Sequence, residues 1–263
     1  MDKFFLIDHF FAKRSDLLDA SQKIPTHRSE YIFVWATYSL DGNLSSDEKI
    51  FLKSLKSYPN VEIIVAINTS IKFLQLQERE FQTLLRPNRG RDLAAFRDAL
   101  QLMKNIRSNS TVILLNSSCI WSADKLMDVI AKRVNHNSVN FMSDSYQGTY
   151  HMQSYFLAIP YDYLNLTKDI FKNNVRNWKF KRSAVIKGEK KLHKYLGELS
   201  IPINVLYPAI LLEKRTGLDK SNTNYSKDCA YELLQLGAPF LKKSSRNSSQ
   251  LIGHLNSNPR GIE

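Results

Sequence analysis

The strongest constraint on this chain is an alternation. From Tyr31 to Val134, apolar β-branched runs trade places with amphipathic ones. YIFVWATYS (Tyr31–Ser39) reads as a strand, because β-branched and aromatic side chains crowd it. LDGN turns the chain, and SSDEKIFLKSLKS opens a helix in which Ser45 and Glu48 make a capping box. VEIIVAINTS (Val61–Ser70) is almost wholly apolar, as a strand covered on both faces would be. Ile71–Glu80 is helix-like and FQTLLRPN forms a short third strand. The next helix starts near Gly90, with Leu93, Phe96, Leu100 and Met103 on one apolar stripe. STVILLNSSCIW is the fourth, central strand, and Ser122 caps a helix that aligns Leu126, Val129, Ile130 and Val134. Strand and helix in repeated succession predict an α/β fold, a mostly parallel, doubly wound sheet flanked by helices.

After Asn135 the rhythm changes. SVNFMSDSY and HMQSYFLAIP are strand-like runs only a few residues apart, which predicts a mixed or antiparallel addition to the sheet. Helix-like sequence follows over Tyr161–Arg182, then Glu189–Leu199 with Leu192, Leu196 and Leu199 aligned, and INVLYPAIL reads as a late strand. The tail from Ser244 is polar and rich in Ser and Asn, so it is expected to be loose. No Gly/Pro/Ser linker divides the chain. Residues 1–243 therefore read as one domain with halves at about 30–135 and 136–243, and 244–263 as a flexible tail.

At 263 residues the chain is long enough to bury a large core. No apolar run approaches the ~20 residues that cross a bilayer. The opening MDKFFLIDHFFAKRS is interrupted by Asp8 and His9 and is not read as a signal peptide. Two distant cysteines, Cys119 and Cys229, suit a reduced, cytoplasmic compartment. The net charge of +12 favours polyanions: nucleic acid, an anionic membrane leaflet or phosphorylated small molecules. Nucleic acid is set aside, because no basic-aromatic RNA signature, zinc-finger spacing or recognition helix accompanies the charge.

One stretch concentrates that charge. RPNRGRD (Arg86–Asp92) brings three arginines to a helix start, where cations are electrostatically unwelcome. In an open α/β sheet the loop between a strand's carboxyl end and the next helix is where ligands bind. Gly90 permits close backbone approach, and the free N–H groups of a first turn face anions well. Either Arg89 and Arg91 hold phosphate oxygens there, or the arginines are solvated and Asp92 only complements the helix dipole.

NRGRDLAAF, LLNSSCIW, SDSYQGTYHMQSYFLAIP and GAPFLKK, in that order, resemble the rhamnan synthesis protein F family over roughly Tyr31–Lys243. The resemblance implies a GT-A-like fold, which is a Rossmann-like nucleotide-sugar sandwich. It also implies a glycosyltransferase of bacterial cell-surface polysaccharide synthesis. Its donor would be a nucleotide-diphosphate sugar, dTDP-rhamnose foremost. Its acceptor would be a growing oligosaccharide or lipid-linked chain, met at the inner face of the membrane, and transfer would invert the anomeric centre.

The resemblance also implies roles. Thr37, Tyr38 and Asn68 would hold the nucleoside, with Tyr38 either stacking on the base or simply packing. Asn88, Gly90, Arg91 and Asp92 would line the donor pocket. GT-A enzymes usually end the fourth strand in an acidic motif that grips Mg or Mn, but this chain reads Asn116-Ser117-Ser118 there. Hard cations prefer carboxylates, so no metal ligand is assigned, and Asn116 is counted with the donor site. Glu189, at the start of a late helix, is the candidate general base, with Asp144 as second choice. Strand alternation would send His151, Gln153 and Tyr155 to one face. His151, Gln153 and Trp121 are thus the candidate acceptor-binding residues, while Lys242 and Lys243 reach for anions. The alternative function is a non-catalytic sugar- or nucleotide-binding partner of a glycosyltransferase.

Overall fold

The computed structural model describes residues 19–20, 29–70, 80–245 and 247–256. The expected helix at Ile71–Glu80 and the opening apolar stretch lie almost wholly outside the described residues.

The strands are β1 (Asp19–Ala20), β2 (Tyr31–Tyr38), β3 (Val61–Thr69), β4 (Gln82–Pro87), β5 (Thr111–Asn116), β6 (Cys119–Trp121), β7 (Val139–Ser145), β8 (His151–Met152), β9 (Phe156–Pro160), β10 (Ile203–Tyr207) and β11 (Phe240–Lys242). The main sheet runs β1–β4–β3–β2–β5–β9–β7–β10, with β8 paired to β7. β2 is parallel to β3 and β5, and β3 to β4, so four strands deliver their carboxyl ends to one edge. β9 runs against β5 and β7, while β7 and β10 are parallel. The expected architecture is therefore present: a mostly parallel sheet with a mixed second half.

Helices cover both faces. Alternation along β2 sends Phe33 and Trp35 into one core with Phe51, Leu52 and Leu55 of α1 (Ser46–Lys56) and with α3 (Ala123–Arg133). It sends Ile32, Val34 and Ala36 to the opposite core. There they meet α2 (Arg91–Leu102), α4 (Tyr161–Asn174) and α5 (Lys190–Glu198). The capping box of α1 is formed: Ser45 N–H donates to Glu48 Oε2 at 2.9 Å, and Glu48 N–H to Ser45 Oγ at 3.4 Å. α2 exceeds its expected stripe. Every residue from Leu93 to Leu100 is buried, including Arg97 and Asp98, because α4 and the loop after it close over its outer side.

Four expectations need correction. The central strand stops at Asn116; Cys119–Trp121 leaves the main sheet and pairs antiparallel with β11 as a separate ribbon. Ser122 starts α3 without a side-chain capping bond. The strand does not run unbroken from His151 to Pro160: Gln153 N–H still follows the β7 register to Ser143 O at 3.0 Å, but Ser154 and Tyr155 form a turn, and Gln153 and Tyr155 meet Lys242 while His151 lies beside Thr149 O. The tail is not wholly loose, since Ser248–Asn256 forms a helix, α7, that seats Leu255 against Leu234 and Leu241. Its Leu251 and Leu255 are four apart, enough of an apolar stripe to anchor one helix face.

No described helix is long and apolar enough to cross a membrane.

A cleft at the carboxyl ends of the parallel strands

A cleft of about 290 Å³ opens where β2, β3, β4 and β5 end. Tyr38, Asn68, Asn88, Gly90, Arg91, Asp92, Asn116 and Glu189 all line it, together with Ser118, Ser154 and Lys242. Sequence-distant segments meet here because parallel strands end together and the loops after them have nowhere else to go.

The floor is a buried polar network. Arg86, at the end of β4, is fully buried. Its Nε donates to Asp98 Oδ2 at 3.0 Å, and its Nη2 donates to Arg89 O and Asn177 Oδ1, each at 2.9 Å. Its Nη1 also donates to Asn68 Oδ1, so the Asn68 amide is oriented with Nδ2 toward Thr37 O at 3.1 Å. Arg97 donates from Nε to Asp98 Oδ1 at 2.7 Å and from Nη1 to Val175 O at 2.9 Å. Two guanidiniums thus share the Asp98 carboxylate beneath the RPNRGRD loop, and Asp92 adds a further negative charge within reach of Arg86. Burial pulls the Arg86 guanidinium below its ordinary range, and Asp98 opposes that pull.

The loop above is held in an unusual conformation. Gly90 has φ +70°, and Arg91, the first residue of α2, has φ +56°. Left-handed backbone at a non-glycine residue is costly and collects at binding sites. Gly90 N–H donates to Trp178 O at 2.7 Å, and a Cβ on Gly90 would lie 2.5 Å from both Ala94 Cβ and Arg176 O. Only glycine fits between these segments.

Glu189 also lines the cleft, at the end of a π-helical stretch, Ala184–Glu189, that runs on into α5. Single π turns inside longer helices recur at functional sites. Glu189 Oε1 accepts from Ser154 N at 3.0 Å and Ser154 Oγ at 3.1 Å, which fixes the carboxylate at the cleft wall. The preceding Gly188 lets this helix close on α2, since a Cβ there would meet Leu93 Cδ1 at 2.6 Å. Lys242, from the β6–β11 ribbon, enters the cleft with Nζ donating to Gln153 Oε1 at 3.1 Å and Ser226 Oγ at 3.3 Å, over the Tyr155 ring at 5.4 Å.

At the end of β5, Asn116 Nδ2 donates to Asp92 Oδ2 at 2.8 Å, while Asn116 Oδ1 accepts from the Ser118 N–H at 3.1 Å and from its hydroxyl. Amide and hydroxyl groups already bonded to one another do not fit a hard divalent cation, which asks for carboxylate oxygens. Among the described residues no three His, Cys, Asp or Glu side chains gather as a metal set.

The other sequence-level candidates sit elsewhere. Thr37 is buried beneath the cleft, with Oγ1 donating to Glu48 Oε1 at 2.6 Å. Asp144 does not line the cleft; its Oδ1 accepts from Ala209 N at 2.6 Å at the start of α6 (Ala209–Thr216), and burial raises its carboxyl. Trp121 is buried among Tyr155, Phe156 and Phe240, with Nε1 donating to Asn116 O at 3.2 Å. It is core, because β6 turns its side chain inward. His151 is buried beside Thr149 O at 2.7 Å, and Gln153 orients Lys242 rather than facing the cleft. Cys119 and Cys229 are free thiols, both buried, with Cys119 pushed up to about 12 by burial. Ser154 was not singled out from sequence: its role depends on the break after Met152, for which the strand pattern carries no signal.

No protein-family profile and no curated protein sequence matches the chain. Among solved structures it is similar to 2-C-methyl-D-erythritol 4-phosphate cytidylyltransferase of Francisella tularensis, at 12% identity and TM-score 0.40 over 67% of this chain and 90% of that one. It is similar to the galactosyltransferase LgtC, solved with donor and acceptor sugar analogs, at 10% identity and TM-score 0.39 over 88% and 98% of the two chains. The glycosyltransferase GlyE of Streptococcus pneumoniae TIGR4 overlaps at 11% identity and TM-score 0.43, over 89% of this chain and 61% of that one. These are likenesses of overall shape and assign no chemistry to the cleft.

Proposed function

We propose that the chain is a glycosyltransferase that takes a sugar, rhamnose foremost, from a nucleotide-diphosphate donor and passes it to a growing bacterial cell-surface polysaccharide with inversion. The observation that carries this reading is the gathering of opposite chemistries in one cleft. Arg91 and Lys242 offer positive charge there, and Glu189 lines the same cleft with a fixed carboxylate. A diphosphate suits the first set, because guanidinium and ammonium groups neutralise phosphate oxygens and stabilise the charge that grows on a leaving diphosphate. A fixed carboxylate suits the second, because an inverting transfer needs a base to take the acceptor hydroxyl's proton.

In this reading Tyr38 and Asn68 meet the nucleoside, Asn88, Gly90 and Arg91 meet the diphosphate, and Asp92 meets a sugar hydroxyl with Asn116 holding it in place. The arginine and lysine take over the work of the cation that GT-A enzymes use, so binding and turnover proceed without Mg or Mn. The favoured donor is dTDP-rhamnose and the favoured acceptor a lipid-linked oligosaccharide. The +12 net charge suits a cytoplasmic protein resting against an anionic inner leaflet.

The test is calorimetric titration with dTDP-, UDP- and GDP-linked sugars, with and without Mn²⁺, on the wild type and Arg91→Ala. Binding of one donor without metal, weakened by the substitution, supports the reading. No heat with any donor under either condition overturns it. A second reading, a non-catalytic donor-binding partner, draws on the missing carboxylate pair at Asn116–Ser118, and it predicts binding without transfer or hydrolysis under every metal condition.

A further inference from the structure

Beside the cleft, on the Glu189 side, lies a group of rings that plays no part in the donor reading. Tyr146 and Tyr150 stand at the two ends of the loop between β7 and β8, with ring centroids 4.8 Å apart. Tyr150 meets His193 of α5 edge-on, at 5.4 Å and 77°. The Tyr150 side chain is 38% exposed. Asp144, a buried carboxylate that accepts from Ala209 N–H at 2.6 Å, lies near the Tyr150 hydroxyl. A half-exposed ring packed on two neighbouring rings keeps its orientation and leaves apolar area facing outward.

The position of this ring relative to the cleft follows from α5. Glu189 and His193 are four residues apart where the π stretch passes into α5, so they share a helix face about 6 Å apart along the axis. The same loop closes on that helix a second time, for a Cβ on Gly148 would lie 3.3 Å from Lys190 Nζ. The exposed tyrosine therefore packs on the helix face that carries the fixed carboxylate one turn earlier. A pyranose has the chemistry to lie on such a ring. Its C–H face packs on the electron-rich face of an aromatic ring, and its hydroxyls point to the edges. Tyr146 supports the arrangement from behind, its own ring covered by Lys220 Nζ at 5.3 Å.

We propose that Tyr150, steadied by Tyr146 and His193, is the platform on which a pyranose unit of the acceptor lies while one of its hydroxyls faces Glu189. The proposal rests on the glycosyltransferase reading and adds the acceptor subsite to it. It replaces Trp121, which is enclosed by other rings, as the sugar-stacking residue.

Saturation-transfer NMR with methyl α-rhamnopyranoside and methyl α-glucopyranoside tests it, using wild type, Tyr150→Ala, Tyr150→Trp and Tyr231→Ala. Tyr231 is the control, an equally exposed tyrosine packed on His254 away from the cleft. Saturation of the ring C–H protons of a pyranoside is expected with wild type and with the Trp and Tyr231 variants. Tyr150→Ala should weaken it about five-fold or more, as loss of one stacked ring implies. Saturation undiminished in Tyr150→Ala, or equally lost in Tyr231→Ala, overturns the platform. Donor titration of the wild type separates the two readings. Donor heat without pyranoside saturation overturns the platform alone, whereas neither donor heat nor saturation overturns both.

Discussion

Arg86 Nε and Asp98 Oδ2 meet at 3.0 Å with both side chains essentially sealed from water, and Arg97 closes on the other oxygen of the same carboxylate. The geometry satisfies both ions. Removing Asp98 leaves two buried guanidiniums facing each other with only Asp92 nearby to balance them. Asp98→Ala should lower stability by about 3–5 kcal/mol, the usual cost of orphaning a buried charge. Urea denaturation reads the loss directly; an unchanged midpoint would mean that water reaches this network freely.

The Gly90 turn makes a second prediction. Gly90→Ala faces a left-handed φ and two contacts at 2.5 Å, to Ala94 Cβ and Arg176 O. The φ penalty alone is about 1 kcal/mol, and the backbone contact with Arg176 adds to it. Where the 176–178 segment holds, relief comes from movement of the loop bearing Arg91, so donor affinity should fall together with Tm. A variant that loses neither would show that the 176–178 segment yields easily.

Lys242 offers a test of how the donor's charge is met. A charge-assisted hydrogen bond to phosphate contributes ~1.5–3 kcal/mol, so Lys242→Met should weaken nucleotide-diphosphate binding about ten-fold or more. Nucleosides, which carry no phosphate, should bind the variant as they bind the wild type. Calorimetry with dTDP and thymidine distinguishes the two; equal weakening of both would move Lys242 from the diphosphate to general packing.

His193 supplies a pH signature. Burial lowers its imidazole below the ordinary 6.5, with the nearby His151 acting in the same direction. The unfolded chain then takes up a proton near pH 6.5 that the folded chain refuses, so stability is full above that value and declines as pH falls below it. Thermal melts between pH 7.5 and 5 should show a drop in Tm that His193→Gln reduces. A wild-type profile no steeper than the variant's would contradict the assigned direction.

The Ser45–Glu48 capping box is a simpler case. Glu48 also accepts from Trp35 Nε1 at 3.2 Å and from Thr37 Oγ1, so it ties α1 to β2 as well as closing the helix. Ser45→Ala should cost about 1 kcal/mol, as cap removal does. Glu48→Ala should cost more, since it strands the Trp35 indole N–H and removes one of the two partners of the Thr37 hydroxyl, which keeps Ser117 Oγ at 3.0 Å. Chemical denaturation of the pair gives the order; the reverse order would argue that α1 is held by packing alone.

Much of the fold is legible in the chain because alternation and periodicity are local. β2 and β3 announce themselves by unbroken apolar, β-branched runs, and α1 by its cap. The carboxyl-end rule then brings Tyr38, Asn68, Gly90, Arg91 and Asn116 to one edge without any knowledge of distance. What stays hidden depends on partners far away in sequence. Arg86 and Arg97 look like surface charges until Asp98, Asn177 and Val175 close over them. Trp121 looks like a strand-end platform until β11 pairs with β6 and turns it inward. Asp144 looks like a poised acid until the amide of Ala209 meets it from a segment 65 residues on.

The β6–β11 ribbon has a consequence for the order in which the molecule comes into being. It joins Cys119–Trp121, from the middle of the chain, to Phe240–Lys242, near the end of the 263 residues. The parallel strands β2 to β5 are synthesised early and fold from the amino end as they emerge. Lys242 is still unmade at that stage, so a ribosome carrying the finished sheet holds an incomplete cleft. Competence for ligand therefore waits until Lys242 has left the ribosome and β11 has paired with β6.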